Sequence, residues 1–217
     1  MEAQNLYAQY DNDLYNNHGD NYPVLQTFLP VMICPSDVDT DVLPGWFGAA
    51  PGSYSGVNSG GGAQYWEWPP RHMPYGGAAC ALTSDARGPL HPVVSGSCRF
   101  PPVITSQITD GLTNTVLVGE RHSTTNPDNG PEWALTYSFF GDGSTQAQSH
   151  AHGLPDHAEC GNIGGANCNT AFASLHSGNM MNFVTCAGNV IRISPNIDGN
   201  LFEGYGTIAG GEIVFLE

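Results

Sequence analysis

Met181-Asn-Phe-Val-Thr-Cys186 and Asn189-Val-Ile-Arg-Ile-Ser194 are two runs of strand length, rich in β-branched and aromatic residues and flanked by turn residues. Ala187-Gly188 joins the runs, and a two-residue connection containing Gly is a hairpin signal that sets them side by side. Thr115-Val-Leu-Val-Gly-Glu120, Trp133-Ala-Leu-Thr-Tyr-Ser138 and Gly211-Glu-Ile-Val-Phe-Leu216 have the same character and are flanked by turn residues. The second half of the chain therefore reads as an antiparallel sheet. Pro195-Asn-Ile-Asp-Gly-Asn-Leu-Phe-Glu203 forms a short helical crossover into the last strand.

Working toward the N-terminus, Leu6, Tyr7 and Tyr10 have helical spacing within residues 2–10, and residues 11–21 form a polar, Asn-rich loop. Residues 22–28 make another helical turn before the run Leu29-Pro-Val-Met-Ile-Cys34, which stops at Pro35-Ser-Asp37. Residues 45–100 are dominated by Gly, Pro and Ser with aromatic islands, and read as a long loop-rich insertion. The expectation is a single α+β, β-rich domain over residues 1–217.

Composition narrows the function. Charged residues make 12% of the chain against roughly a quarter in an average soluble domain, while 28 Gly and 16 Pro among 217 residues exclude a helical bundle. The five basic residues are all Arg, against 20 acidic ones, for a net charge of −15. With no Lys there is no Schiff-base or P-loop lysine chemistry. So little positive charge excludes nucleic acid as a partner and disfavours an anionic membrane surface. No run reaches the apolar length of a membrane span, and residues 1–20 lack the pattern of an export signal. An acidic, Lys-free surface suits solubility outside the cell and weak capture of divalent cations.

Cys34, Cys80, Cys98, Cys160, Cys168 and Cys186 contain no C-x-x-C pair, so ribbon-type zinc, thioredoxin and c-type haem spacings are missing. The even count favours disulfides and an oxidising compartment. Cys160 with Cys168 and Cys80 with Cys98 bracket Gly- or Pro-rich loops and suit local staples, which leaves Cys34 with Cys186, although six cysteines keep the connectivity open.

Several segments occur together in one order: Ile33-Cys34-Pro35-Ser36-Asp37, Ile108-Thr-Asp-Gly-Leu-Thr-Asn-Thr-Val-Leu-Val-Gly-Glu120, Phe172-Ala-Ser-Leu-His176-Ser-Gly178, Gly188-Asn-Val190 and Gly210-Gly211-Glu212. In these the chain resembles the planctomycete-type family of prepilin-like proteins of unknown function, known for a terminal block of His, nine residues and Asp-Gly. Here the stretch from His176 to Gly188 is one residue longer, and Ala187 stands where that family has Asp. The N-terminal methylation motif and hydrophobic helix of the family are not in this sequence, so the resemblance covers its globular head. It implies an exported or envelope-anchored pilin-like α+β domain and carries over no catalytic residues.

Candidate sites follow from local chemistry. His150-x-His152 followed by His157, with Asp156 and Glu159 beside them, can supply a Zn or Cu shell, since His-x-His on a strand puts both rings on one face. The surrounding Gly153 and Pro155 favour an exposed polar loop instead. Asp37, Asp39 and Asp41 offer alternate carboxylates of the kind calcium takes, but Val42 replaces the EF-hand glycine, so a solvated acidic loop is the stronger reading. Asp110, Gly111, Asn114 and Glu120 read as a turn leading into a strand rather than as an acid pair. His176 reads as a structural donor to a buried turn, and Glu120-Arg121 and Glu212 as buried or semi-buried charge pairs in which the Arg fixes strand register. Tyr65, Trp66 and Trp68 form either a stacking platform for a sugar or partner, or a satellite core under the insertion.

The expected function is that of a non-enzymatic, pilin-like or pseudopilin-like structural protein of the cell surface or exterior. It would act by self-assembly into filaments, by pairing with other pilin-like subunits or by surface binding, and would require no cofactor. The alternative is a secreted metal-dependent hydrolase built on His150, His152 and His157.

Overall fold

The computed structural model describes residues 4–16, 18–37, 48–59, 87–91, 101–122, 131–135, 141–145 and 171–211. Within them lies a five-stranded sheet of β1 (Tyr54–Ser59), β2 (Val116–Glu120), β3 (Asp142–Ser144), β4 (Met181–Thr185) and β5 (Val190–Ile193), in the order β3-β1-β2-β4-β5. Short helices α1 (Gln4–Tyr7), α2 (Tyr22–Leu25) and α3 (Gly199–Tyr205) complete the α+β, β-rich architecture.

The hairpin read from the sequence is present: β4 and β5 pair antiparallel, with Phe183 opposite Ile191 and Met181 opposite Ile193. Its connection is longer than two residues. Gly188 N–H closes a turn onto Thr185 O at 2.9 Å, and Gly188 takes φ 86°, the left-handed conformation that glycine adopts without a Cβ clash. Along β4, Met181, Phe183 and Thr185 are buried while Asn182 and Val184 are half-buried, as in a strand with one face on the core.

Phe183 centres the main core, 5.0 Å from the Phe172 ring and 5.7 Å from the Phe202 ring, both edge-on. Edge-to-face contact matches the positive ring edge to the negative ring face. Phe202 arrives on α3, whose first N–H groups are capped by Asp198 Oδ1 accepting from Asn200 and Leu201 at 3.0 and 3.1 Å. Val57, Val116, Ile193 and Tyr205 fill the same cluster. A second, smaller core holds Leu25, Ala49 and Leu135 under Tyr10 and Tyr22.

Three expectations need correction. The sheet is mixed rather than antiparallel, because β1 and β3 run parallel. The loop-rich stretch 45–100 contributes β1, an inner strand between β3 and β2. Its Tyr-Ser-Gly-Val-Asn-Ser sequence is poor in β-branched residues because large neighbours occupy the space: a Cβ on Gly56 would lie 2.9 Å from Leu90. The stretch beginning at Trp133 starts as a turn, with Glu132 bridging Pro51 and Trp133 Nε1 donating to Thr27 O at 2.9 Å. The Leu29–Cys34 run turns through a 3-10 helix, Pro30–Met32, set by proline at its first position.

The Cys34–Cys186 disulfide is also overturned, since both thiols are free. Cys186 N–H bonds Thr115 O, just before β2, whereas Cys34 Sγ lies 3.9 Å from Glu120 at the far end of β2. Five residues of strand separate these places by roughly 16 Å, well beyond the Cα spacing of about 7 Å that a disulfide bridges. Burial raises the Cys186 thiol to about 11. Cys80, Cys98, Cys160 and Cys168 lie outside the described residues.

Candidate functional site

Three segments distant in sequence converge where β2 ends. The turn Cys34-Pro-Ser-Asp37 closes with Asp37 N–H on Cys34 O at 2.9 Å and presents the side chains of Cys34 and Ser36 together. Glu120 is the last residue of β2, on the sheet face opposite Phe183, because side chains alternate and its cross-strand neighbour is Asn182. The segment from Ala171 runs beside it, with Ala173 N–H on Glu120 O at 3.0 Å, and delivers His176.

The resulting contacts are short. His176 Nε2 lies 2.9 Å from Glu120 Oε1 and 3.5 Å from Cys34 Sγ, while Nδ1 faces Ser36 Oγ at 3.2 Å. Glu120 Oε2 accepts from Asn182 N–H at 2.7 Å, and Oε1 from Asn182 Nδ2 at 2.9 Å. The Glu120 side chain is 6% exposed and that of His176 33%. His176 thus does serve as a structural partner, but of a carboxylate rather than a backbone turn.

Beside this cluster opens a small cleft lined by Cys34, Asp37, Ser53, Glu120, His122 and Ser174, with room for at most about one water. Asp37 Oδ2 accepts from Ser53 Oγ at 2.6 Å. Burial, and then the negative charge of Cys34, Glu120 and Asp37, raise the Tyr54 phenol above its ordinary value. Burial lowers His122, opposed by Asp37.

Arg121, the next residue along, is fully buried and donates from Nη1 to Asp142 O at 3.4 Å. Burial holds it down to about 9 despite Asp142 and Glu132 nearby. Burial also pushes Asp142 up to about 7 and Glu132 up to about 8, against the pull of Arg121. Glu132 is 1% exposed, and among the described residues neither of its carboxylate oxygens has a hydrogen-bond partner.

A pH dependence follows. Asp142 and Glu132 titrate from 3.8 and 4.5 unfolded to about 7 and 8 folded, so across that window the folded chain holds protons the unfolded chain has lost. Their stabilising protonation is complete below about pH 4 and is lost as pH rises toward 8. Urea denaturation should give a lower midpoint at pH 8 than at pH 5, and Glu132→Gln should flatten the upper part of that decline. A midpoint that rises over this window would contradict the assignment.

The other predicted sites distribute as follows. Asp110 and Gly111 do form a turn, with Gly111 at φ 99°, but the carboxylate reaches far along the chain. Asp110 accepts from Gly210 N–H at 2.8 Å and Gly211 N–H at 3.1 Å, while Asn114 Nδ2 bonds Asp110 O. His150, His152, Asp156, His157, Glu159, Asp39, Asp41, Tyr65, Trp66, Trp68 and Glu212 lie outside the described residues. Sequence reasoning missed Cys34, Ser36 and Asn182 as site residues. The signal for two of them was present in the block Ile33-Cys34-Pro35-Ser36-Asp37, which the fold brings against those ending in Glu120 and His176.

No curated protein and no solved structure matches the chain. The family model described as "Protein of unknown function (DUF1559)" matches residues 1–200. That match takes in the turn of Cys34, the strand ending in Glu120, the segment of His176 and the hairpin of β4 and β5, and the chain therefore belongs to the DUF1559 family.

Proposed function

We propose that this chain is a pilin-like head domain of the cell envelope or exterior that works by assembling with further copies of itself rather than by catalysis. The resemblance to planctomycete-type prepilin-like proteins supports the location and the class. The observation that carries assembly is the outer edge of β5, which pairs with no other strand among the described residues. Val190 on that edge is 69% exposed. An unpaired edge carries a row of N–H and C=O groups that a second strand can complete.

The ladder phase identifies which groups face outward. Thr185 N–H donates to Asn189 O at 2.9 Å, so the alternation of an antiparallel pair puts Ile191 and Ile193 in the bonded pairs and turns the N–H of Val190 and Arg192 away from β4. Arg192, one of five basic residues in a chain of net charge −15, gives this edge a local positive charge that offsets repulsion between copies.

Val190→Pro removes one outward N–H without touching the β4 ladder. It should weaken self-association at least ~10-fold, about 1.4 kcal/mol, with little loss of monomer stability. Wild-type association should strengthen with added salt, which screens the acidic surfaces. Light scattering across a concentration series reads both effects. A wild type that stays monomeric throughout, or a proline variant that associates unchanged, would remove the proposal.

A further inference from the structure

We propose that Cys34, Glu120 and His176 together hold one zinc-class divalent ion, through Sγ, a carboxylate oxygen and Nε2. This site is independent of the assembly reading. The three donor atoms lie within 4.8 Å of one another, and they converge on a common point instead of forming a relay. In a nucleophile–base–acid relay the thiol and the carboxylate occupy different nitrogens of the imidazole. Here both face Nε2, at 3.5 and 2.9 Å, while Nδ1 is taken by Ser36 Oγ.

The spacing fits a small tetrahedral ion. Ordinary zinc bond lengths place S···N at about 3.6 Å, S···O at about 3.5 Å and N···O at about 3.3 Å. The corresponding separations are 3.5, 3.9 and 2.9 Å, each within a few tenths of an ångström. The short N···O separation is that of a hydrogen bond, so the metal would take the place of the proton shared between Nε2 and Oε1.

Charge and donor type select the ion. One thiolate and one carboxylate neutralise a dication, which removes the penalty of leaving net charge in a buried place. Thiolate, imidazole and carboxylate together suit zinc and its neighbours, and the thiolate disfavours calcium and magnesium. On binding, the Cys34 S–H proton leaves to solvent and the Cys34 sulfur bonds the ion. The imidazole stays neutral, its proton moving to Nδ1, where it is donated to Ser36 Oγ. That hydrogen bond fixes the tautomer and ring orientation, the role an outer partner plays for a metal-bound histidine. Asn182 holds the carboxylate in the same manner, through its backbone and side-chain N–H groups. The adjoining cleft, which Cys34 and Glu120 also line, leaves the fourth position open to solvent.

The test is titration of the reduced full chain with Co²⁺, followed by its thiolate-to-cobalt charge-transfer absorption. The expected result is a band that saturates at one equivalent, is lost in Cys34→Ser, and is retained in Cys186→Ser and in the His150→Ala/His152→Ala double variant. Ser36→Ala should weaken retention ~10-fold or more. On wild-type protein, Zn²⁺ should slow alkylation of the Cys34 peptide, and this measurement decides the matter if Cys34→Ser fails to fold. Absence of a band in the wild type, its persistence in Cys34→Ser, or unchanged alkylation of Cys34 with Zn²⁺ would each overturn the site.

Discussion

Glu120→Ala should lower the unfolding free energy by roughly 3–5 kcal/mol, the range for removing one partner from a buried charged cluster. The reason is what the substitution leaves behind. Glu120 accepts from Asn182 N–H, from Asn182 Nδ2 and from His176, and its side chain is 6% exposed. Without the carboxylate, these donors, on half-buried Asn182 and partly exposed His176, lose their acceptor, each at a cost of about 1–3 kcal/mol where solvent does not replace it. Glu120→Gln keeps an acceptor for Asn182 N–H and should lose less than Glu120→Ala, though still some, because its NH₂ cannot accept from Asn182 Nδ2. Urea denaturation measures both. A Glu120→Ala loss below about 1 kcal/mol would show that the carboxylate is solvated rather than locked. A double-mutant cycle with His176→Ala should show strong coupling, as groups in one hydrogen-bond network do.

Phe183→Ala should cost about 3–5 kcal/mol, the usual range for removing a buried aromatic ring. For a chain of this length that corresponds to a fall in melting temperature of roughly 6–20 °C. Phe183 is 1% exposed and packs edge-on against the Phe172 and Phe202 rings, so both neighbours lose contact when it is removed. The sheet beneath is equally constrained. A Cβ on Gly119 would lie 2.3 Å from Phe183 and 2.7 Å from Phe172, and one on Gly143 2.3 Å from Phe172. Gly119→Ala should therefore destabilise by overpacking, about 1–3 kcal/mol, and should cost less when Phe183 is first reduced to Leu. Additive losses in that pair would mean that the rings and the glycine do not compete for the same volume.

These glycines show why parts of the sheet are illegible in sequence. β3, Asp142–Ser144, contains no apolar residue, and β1 carries a single valine. Both are strands because Phe172 and Leu90 lie over their glycines, and those partners come from elsewhere in the chain. Trp133 has the opposite history: its alternation with Leu135 resembles a strand, but the indole bonds Thr27 O and the segment turns. The hairpin of β4 and β5 was legible because both strands and their connection are contiguous. The helix α3 was legible for the same reason, with Asp198 beside the first turn that it caps.

The candidate site divides along the same line. Glu120 and His176 stood out in the sequence singly, the one as half of a charge pair with Arg121 and the other as a donor to a buried turn, whereas the fold sets them against each other. Cys34 was assigned to a disulfide by counting, because parity carries no information about distance. Its thiol partners, Glu120 and His176, are 86 and 142 residues away.

By itself the sequence determined the elements whose cause is local: the β4–β5 hairpin, the strand ending at Glu120, the short helices and an acidic, Lys-free surface. Period, turn chemistry and capping act over a few residues and can be read there. The tertiary structure alone decided that β1 joins the sheet interior, that β3 runs parallel to it, and that Cys34, Glu120 and His176 meet around one imidazole nitrogen. Those outcomes depend on which surfaces exclude water together, a property of residues far apart in the chain.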